Sequence, residues 1–381
     1  MITRDLRPAI ARAAAAAGFD QAKDPGLRPT GTPGQYAASI ALTLGANPRA
    51  TAAALATALA GRPPGTHPWI ASVEVTGPGY LTITVTPEAL AGVADSVTAA
   101  GPGCVTSDAL AGVTVPAAPP GDPLAAPTWE AARAALAARL TARLAAAAGA
   151  TVAELGGAER VGLTLPASTY SPDQTERRAG LSPARSAPPG QTATSPWAAA
   201  VFAGRDAVTF TLARAIPGRP LRVDPAIIAR HVPGNPAYAV RYAHARAASG
   251  VRWAVISREG DPPPVSPLSR PAGTATSGAA GVPPREETAP PCTPADPGEL
   301  ALLDALSWLP ERVATAARRG RPDEFARYLE DLASVTVDVL SSASHLGSAA
   351  HPSDRLGLAI AARTGIGAGL RLLEVSAPDR L

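Results

Sequence analysis

The chain is predicted to be a multidomain α+β protein with a small N-terminal α+β domain, a shrunken middle region and a C-terminal all-α helix bundle. Three observations predict this. A length of 381 residues is enough for more than one hydrophobic core. Val, Ile, Leu and Tyr alternate with period two on both sides of Gly77-Pro78-Gly79, which is the mark of a hairpin. From Pro297 onward, apolar residues recur at three- and four-residue spacing through three long segments.

The N-terminal domain opens with a helix over Asp5 to Ala17, ended by Gly18. A second helix is predicted around Gln35 to Leu44. A third runs from Pro48 to Leu59 behind Asn47 and stops at Gly61. The hairpin follows, with Ile70, Val73 and Val75 on one side of the turn and Tyr80, Leu81, Ile83 and Val85 on the other. Residues 91–125 are rich in Pro, Gly and Ala, and read either as a linker or as the remains of a strand. A helix is predicted from Trp129 to Ala148, with Trp129, Leu136, Leu140 and Leu144 on one stripe and Arg133, Arg139 and Arg143 largely off it.

Residues 166–195 lack periodicity and read as a loop. Order is expected to return at Trp197. Asp206 to Leu212 fits a short helix or a strand, Arg222 to His231 a helix, and Pro236 to Val255 a long helix. A second Pro/Gly/Ser/Thr-rich insertion covers 257–297. The closing helices span Pro297 or Gly298 to Arg319, Pro322 to Leu346, and Ser353 to Leu373. Short loops between them imply antiparallel neighbours. Gly365, Gly367 and Gly369 weaken the last helix by roughly 1 kcal/mol each against Ala unless tight packing requires them.

Ala, Gly, Pro and Arg dominate the composition, Lys23 is the single lysine, and aromatics make up 4%. Net charge is only +3, but fifteen Arg face six acidic residues between Arg139 and Arg258. Such a local excess suits a surface that meets a polyanion, although Arg also serves as the solubilising cation where Lys is scarce. Cys104 and Cys292 stand far apart without close-spaced partners, so neither a zinc site nor a disulfide framework is expected. No window reads as a membrane span or a signal segment. The expectation is a cytoplasmic protein with no membrane or DNA partner.

Asn235 before Pro236 is a good helix entry, with Asn235 as the N-cap and Pro236 at the first helical position. In the helix that follows, Tyr238, Tyr242, Arg246 and Ser249 share one face, Arg241 and His244 lie beside it, and Val240, Ala243 and Ala247 form the packed side. A face of tyrosine and arginine can stack on bases and pair with phosphates. Half-buried packing tyrosines beside ordinary surface arginines give the same pattern, and the residues alone leave both readings open.

The segment Asn235 to Arg246 resembles the start of the anticodon-binding helical domain of arginyl-tRNA synthetases, whose pattern is Asn-Pro-x-Tyr-x-Val-x-Tyr-Ala-His-Ala-Arg. Asn235, Pro236, Tyr238, Val240, Tyr242, Ala243, His244, Ala245 and Arg246 match it. Gly204 to Phe210 with Leu212-Ala213-Arg214 is similar to the segment closing that family's catalytic domain. Leu302 to Glu311, Ala326 to Ala333 and Leu370 to Leu381 fit its bundle, and Val75 to Leu81 is similar to a turn of its N-terminal domain that touches the outer corner of tRNA. The resemblance implies a family-like N-terminal domain over 1–92, a degenerate catalytic-like remnant over 93–196, the end of a catalytic domain over 197–234, and a DALR-type anticodon-binding bundle over 235–381. It implies tRNA, and tRNA-Arg in particular, as partner. The RNA-binding candidates are Tyr238, Arg241, Tyr242, His244, Arg246, Arg214, Arg327, Tyr328 and Arg363, with Gln35 and Tyr80 in the N-terminal domain.

The chain also departs from the family. A class I synthetase needs a His-Ile-Gly-His-like loop and a Lys-Met-Ser-Lys-like loop. Here no His-x-Gly-His occurs, Lys23 is far from any such position, and Met1 is the single methionine. No catalytic or ATP-binding residue, metal site or cofactor is therefore expected. Gly34-Gln35-Tyr36-Ala37-Ala38-Ser39 stands where the family has Gly-Asp-Tyr-Gln-Ser-Asn, and Thr336 to Leu340 where it has an aromatic- and amide-bearing stretch. The leading expectation is a non-catalytic tRNA-binding protein. The alternatives are an arginine–tRNA ligase and an interaction module that partners a synthetase or another enzyme using aminoacyl-tRNA.

Overall fold

The computed structural model of the protein describes residues 1–19, 24–61, 67–154, 194–259, 296–345 and 352–381. A mixed α/β domain at the N-terminal end is followed by an all-α bundle. Helix α1 (Ile2–Ala16) buries Leu6, Ile10 and Ala13 at the expected spacing. Strands β1 (Arg28–Pro29) and β2 (Gln35–Ala38), helices α2 (Ala41–Leu44) and α3 (Pro48–Ala60), and strands β3 (Ile70–Thr76) and β4 (Tyr80–Val85) complete the first layer. The sheet is antiparallel throughout, in the order β1-β2-β4-β3.

The hairpin and α3 lie where the pattern puts them, and the Asn47 side chain accepts from the Ala50 N–H to cap α3. Gly79, at φ 139°, is required at the turn because a Cβ there would sit 2.8 Å from the Pro48 backbone. The helix predicted over 35–44 is corrected. Its first half is β2, with Tyr36 and Ala38 buried and Gln35 and Ala37 half-exposed. Its four residues pair with Leu81 to Thr84 of β4, a distant ladder that overrides the local helix propensity of alanine.

Helices α4 (Pro87–Ala91) and α5 (Val93–Ala100) and a 3-10 turn at Gly101–Val105 lead into the middle region. There β5 (Thr114–Pro116), α6 (Trp129–Ala147) and β6 (Thr151–Ala153) form a small βαβ unit whose strands are parallel, Val115 facing Val152. Residues 91–125 thus contain helices and one short strand. The loop expected at 166–195 falls outside the described residues up to 193, and the insertion at 257–297 does so between 260 and 295; Cys292 lies there too.

Helices α7 (Pro196–Ala203) and α8 (Arg205–Ala213) follow, so the segment around 206–212 is helical. The helix expected over 222–231 shrinks to the single turn α9 (Pro225–Ile228), because the Asn235 side chain takes the Ile228 and Arg230 carbonyls, each at 2.7 Å. The bundle proper is α10 (Pro236–Glu259), α11 (Pro297–Ser307), α12 (Leu309–Arg319), α13 (Pro322–His345) and α14 (Pro352–Leu372). One helix was expected where α11 and α12 stand. Pro310 breaks it, having no N–H to give the Leu306 carbonyl and a ring that crowds it. On α13, Phe325, Leu329 and Leu332 are fully buried, each contributing about 1.5–3 kcal/mol of transfer free energy.

The α14 glycines are packing residues. A Cβ on Gly365 would lie 2.9 Å from Leu306 and Leu309, and one on Gly369 would lie 2.5 Å from Leu329. Gly357, on the same helix, faces nothing within 4 Å. Gly369→Ala is expected to destabilise, because overpacking of about 1–3 kcal/mol exceeds a helix gain of roughly 1 kcal/mol. Gly357→Ala keeps the helix gain and should raise the urea midpoint. Equal midpoints for the two variants would refute this reading.

The N-terminal domain docks on the α11–α12 joint. The Thr3 hydroxyl donates to the Ser307 carbonyl at 2.6 Å, the Tyr36 hydroxyl bonds the Ser307 hydroxyl at 2.7 Å, and the Gly34 N–H donates to Asp304 at 3.0 Å. The Tyr36 and Trp308 rings lie 5.2 Å apart. Arg7 on α1 grips Glu311 on α12 with two bonds, at 2.7 and 2.9 Å.

Candidate nucleic-acid interface

The entry to α10 is built by Asn235. Its main-chain carbonyl accepts the first helical bond from the Ala239 N–H at 2.8 Å. Its side-chain amide, expected as an N-cap, instead ties down the preceding segment through Ile228 and Arg230. That tether sets His231 against α10. The His231 ring stacks on Tyr238 at 5.4 Å and 13°, and Tyr238 stacks on Tyr242 at 5.7 Å and 21°. The result is a three-ring ladder whose two end members, His231 and Tyr242, are exposed, Tyr242 by 38%, and whose middle member, Tyr238, is half-buried. The opposite face, Val240, Ala243 and Ala247, is fully buried, as the spacing predicts. His231 was not among the sequence candidates, since nothing periodic relates it to Tyr238 across the turn at Pro233-Gly234.

The other α10 candidates sit differently. Arg241 lies 3.5 Å from Asp206, which also accepts from the Ser376 N–H and hydroxyl. His244 is buried, its Nδ1 bonded to the Pro378 carbonyl at 2.9 Å, with Gly367 leaving room for the ring. Arg246 is half-buried on the same helix. Arg363 makes a two-bond ion pair with Asp379, at 3.1 and 2.8 Å, and Arg252 donates to the Asp379 carbonyl. Asp206, His244, Arg252 and Arg363 therefore bind the C-terminal segment to the bundle.

Burial pushes the His244 imidazole below its ordinary pKa, opposed by the Pro378 carbonyl and Asp379 and assisted by Arg363 and Arg371. The folded protein thus takes up this proton less readily than the unfolded chain. Stability is full above about 6.5, the ordinary histidine value, and declines as pH falls below it. His244→Gln should flatten that decline in urea titrations at stepped pH. An unchanged pH slope in the variant would exclude His244 as its source.

Arg214 and Arg327 come together at a second place. Arg214 grips Glu330 with two bonds, at 2.7 and 3.2 Å, and Arg327 donates to the Arg214 carbonyl at 3.3 Å. Tyr328, by contrast, is buried; its hydroxyl donates to the Ala305 carbonyl and Arg312 lies over its ring. In the N-terminal domain Gln35 pairs with Thr84 at one end of the β2–β4 ladder, whereas Tyr80 starts β4 at the other end. The candidates thus fall into two stacked tyrosines on α10, two arginines at the α8–α13 contact, Arg241 and Arg363 in ion pairs with Asp206 and Asp379, the half-buried Arg246, two separate positions in the N-terminal sheet, and the buried His244 and Tyr328. Among the described residues there is no group of His, Cys, Asp and Glu able to hold a metal ion, and no helix is long and apolar enough to cross a membrane.

Residues 240–381, which hold Tyr242 and the rest of the bundle but begin after His231 and Tyr238, match the DALR anticodon binding domain. Over 47% of its length the chain is similar to arginine–tRNA ligases. It is 31% identical over 183 residues to that of Frankia alni and 32% identical over 184 residues to that of Acidithiobacillus ferrooxidans. The matched stretches are 29% and 27% of those proteins, so the chain spans less than a third of the curated relatives it matches. In fold it is similar to the Thermus thermophilus arginyl-tRNA synthetase, with a TM-score of 0.57 at 15% identity and all of both chains covered.

Proposed function

We propose that this chain is a non-catalytic tRNA-binding protein derived from an arginyl-tRNA synthetase, with tRNA-Arg as its first candidate partner. The observation that carries this is the ladder of His231, Tyr238 and Tyr242, exposed at both ends, which straddles the start of the DALR-matched residues. Every nucleobase has a π-face, and aromatic rings aligned on a helix offer a stacking platform. The local arginine excess supplies phosphate contacts. The non-catalytic half is supported by residue chemistry. The chain has no His-x-Gly-His, and its single lysine, Lys23, lies in the N-terminal domain, while stabilising developing phosphate charge is usually a large catalytic term. The segment joining β5 to α6 carries Asp122 in an ion pair with Arg205.

Sequencing the RNA that co-purifies with the native protein, followed by filter binding, tests the proposal. Enrichment of tRNA and a preference for it over a random duplex of equal length are expected, with affinity falling steeply as salt rises. Equal affinity for the duplex would remove the tRNA reading, and arginine-dependent pyrophosphate exchange would remove the non-catalytic one. A second reading, a protein-interaction module, is favoured by the exposed apolar side chains Trp197, Val201 and Phe202 on α7. Co-purification of a protein without RNA would select it.

A further inference from the structure

A cleft of about 320 Å³ opens between α6, the segment linking α8 to α9, and α13. Five arginines line it: Arg133, Arg214, Arg219, Arg222 and Arg327. Its lining contains no acidic residue. Of the five, only Arg214 has a carboxylate partner among the described residues, Glu330 of α13. The walls are held by neutral groups. Arg133 reaches from α6 to the carbonyls of Ile216 and Arg219, at 3.4 and 2.7 Å, and Arg327 donates to the carbonyl of Arg214 at 3.3 Å. Those bonds fix the geometry without neutralising charge. Arg219 and Arg222 are exposed at the rim.

Five guanidinium groups around one cleft repel each other, and a single glutamate leaves an excess of four positive charges. The carboxyl end of α8 opposes this with only about half a charge. Crowding of this kind is unfavourable in the empty protein and becomes favourable when an anion sits among the groups. Guanidinium groups suit phosphate because their planar N–H pairs match its oxygens two at a time. The geometry points to this cleft as a phosphate-binding site, with Arg219 and Arg222 making the direct contacts and Arg133 and Arg327 holding the linking segment in place. The phosphate comes either from an RNA backbone or from a free phosphorylated small molecule. In the first case the inference rests on the tRNA reading above and extends it from the aromatic ladder to a second grip.

The test uses the full chain and two probes, inorganic pyrophosphate followed by calorimetry and bulk tRNA followed by filter binding across a salt series. The variant is Arg219→Ala with Arg222→Ala, both at exposed positions, with thermal unfolding as the check on its fold. Arg4→Ala with Arg12→Ala on α1 removes the same charge elsewhere. The expected result is pyrophosphate binding that weakens by about tenfold or more in the cleft variant and stays within about twofold in the α1 variant. If RNA supplies the phosphate, the slope of log affinity against log salt for tRNA also shrinks by about 1.4–1.8, the share of two phosphate contacts. Loss of pyrophosphate binding with an unchanged tRNA slope keeps the site and assigns it to a free phosphorylated molecule. Pyrophosphate binding in a protein that ignores tRNA keeps the site and removes the tRNA reading. No pyrophosphate binding, or equal weakening in the cleft and α1 variants, overturns the site even if tRNA still binds.

Discussion

Glu311→Ala is expected to cost about 3 kcal/mol or more of unfolding free energy, the largest stability effect among the substitutions considered. Glu311 is 3% exposed and Arg7 only 12%. The pair is fastened by two short bonds, and Thr315 donates a third to the same carboxylate at 3.1 Å. Removing the acid leaves the Arg7 guanidinium largely out of water, with only Asp24 at 2.9 Å on its outer side. Arg318 also loses a neighbour at 3.8 Å. A largely buried charge left with a single, more exposed partner costs more than a surface pair contributes, so this loss should persist in high salt. Urea unfolding with fluorescence detection reads the midpoint, and Trp308 beside Tyr36 lies in the same interface. Glu311→Gln keeps the shape and half of the acceptors and should lie between. A Glu311→Ala midpoint within error of the parent would mean that docking rests on the apolar contacts alone.

Tyr242→Ala is expected to weaken tRNA binding by about five- to 150-fold, equivalent to the 1–3 kcal/mol of one base stacked on one ring. The substitution should barely touch the fold, since surface changes of this kind usually stay within about 0.5 kcal/mol. Tyr242→Phe retains the π-face and should retain most of the affinity, which separates stacking from hydrogen bonding by the hydroxyl. Tyr238→Ala removes the middle ring and should disturb both neighbours. If Tyr242→Ala and Tyr242→Phe bind alike, and both as the parent does, the ladder is packing and not a base platform.

What could be read in the sequence was local. The hairpin about Gly77–Gly79, the start of α3 at Pro48, the leucine stripe of α6 and the apolar face of α13 depend on residues a few positions apart, and each appears where its pattern placed it. One departure from the local pattern depends on a distant partner. β2 looks like helix until β4 is laid beside it. The α11–α12 break is local: within an otherwise good apolar period, Pro310 has no N–H for the carbonyl four residues back.

The same division applies to the candidate interface. The Asn-Pro-x-Tyr pattern located the ring-bearing face of α10, and Val240, Ala243 and Ala247 its buried side. It could not show that Arg241 meets Asp206, that Arg363 meets Asp379, or that His244 meets the Pro378 carbonyl, because those partners lie on other segments. Nor could periodicity reveal the arginine cleft, whose members come from α6, the α8–α9 link and α13.

The docking of α1 on the α11–α12 joint has a consequence for biogenesis. Thr3 and Arg7 find their partners 304 positions later in the chain. At about 5–20 residues per second, a ribosome needs on the order of fifteen seconds to a minute to make that interval. Throughout it, the side of the first helix that will face Ser307 and Glu311 has nothing to close upon. Assembly of this seam is therefore a late event with a loop-closure cost set by 304 intervening positions.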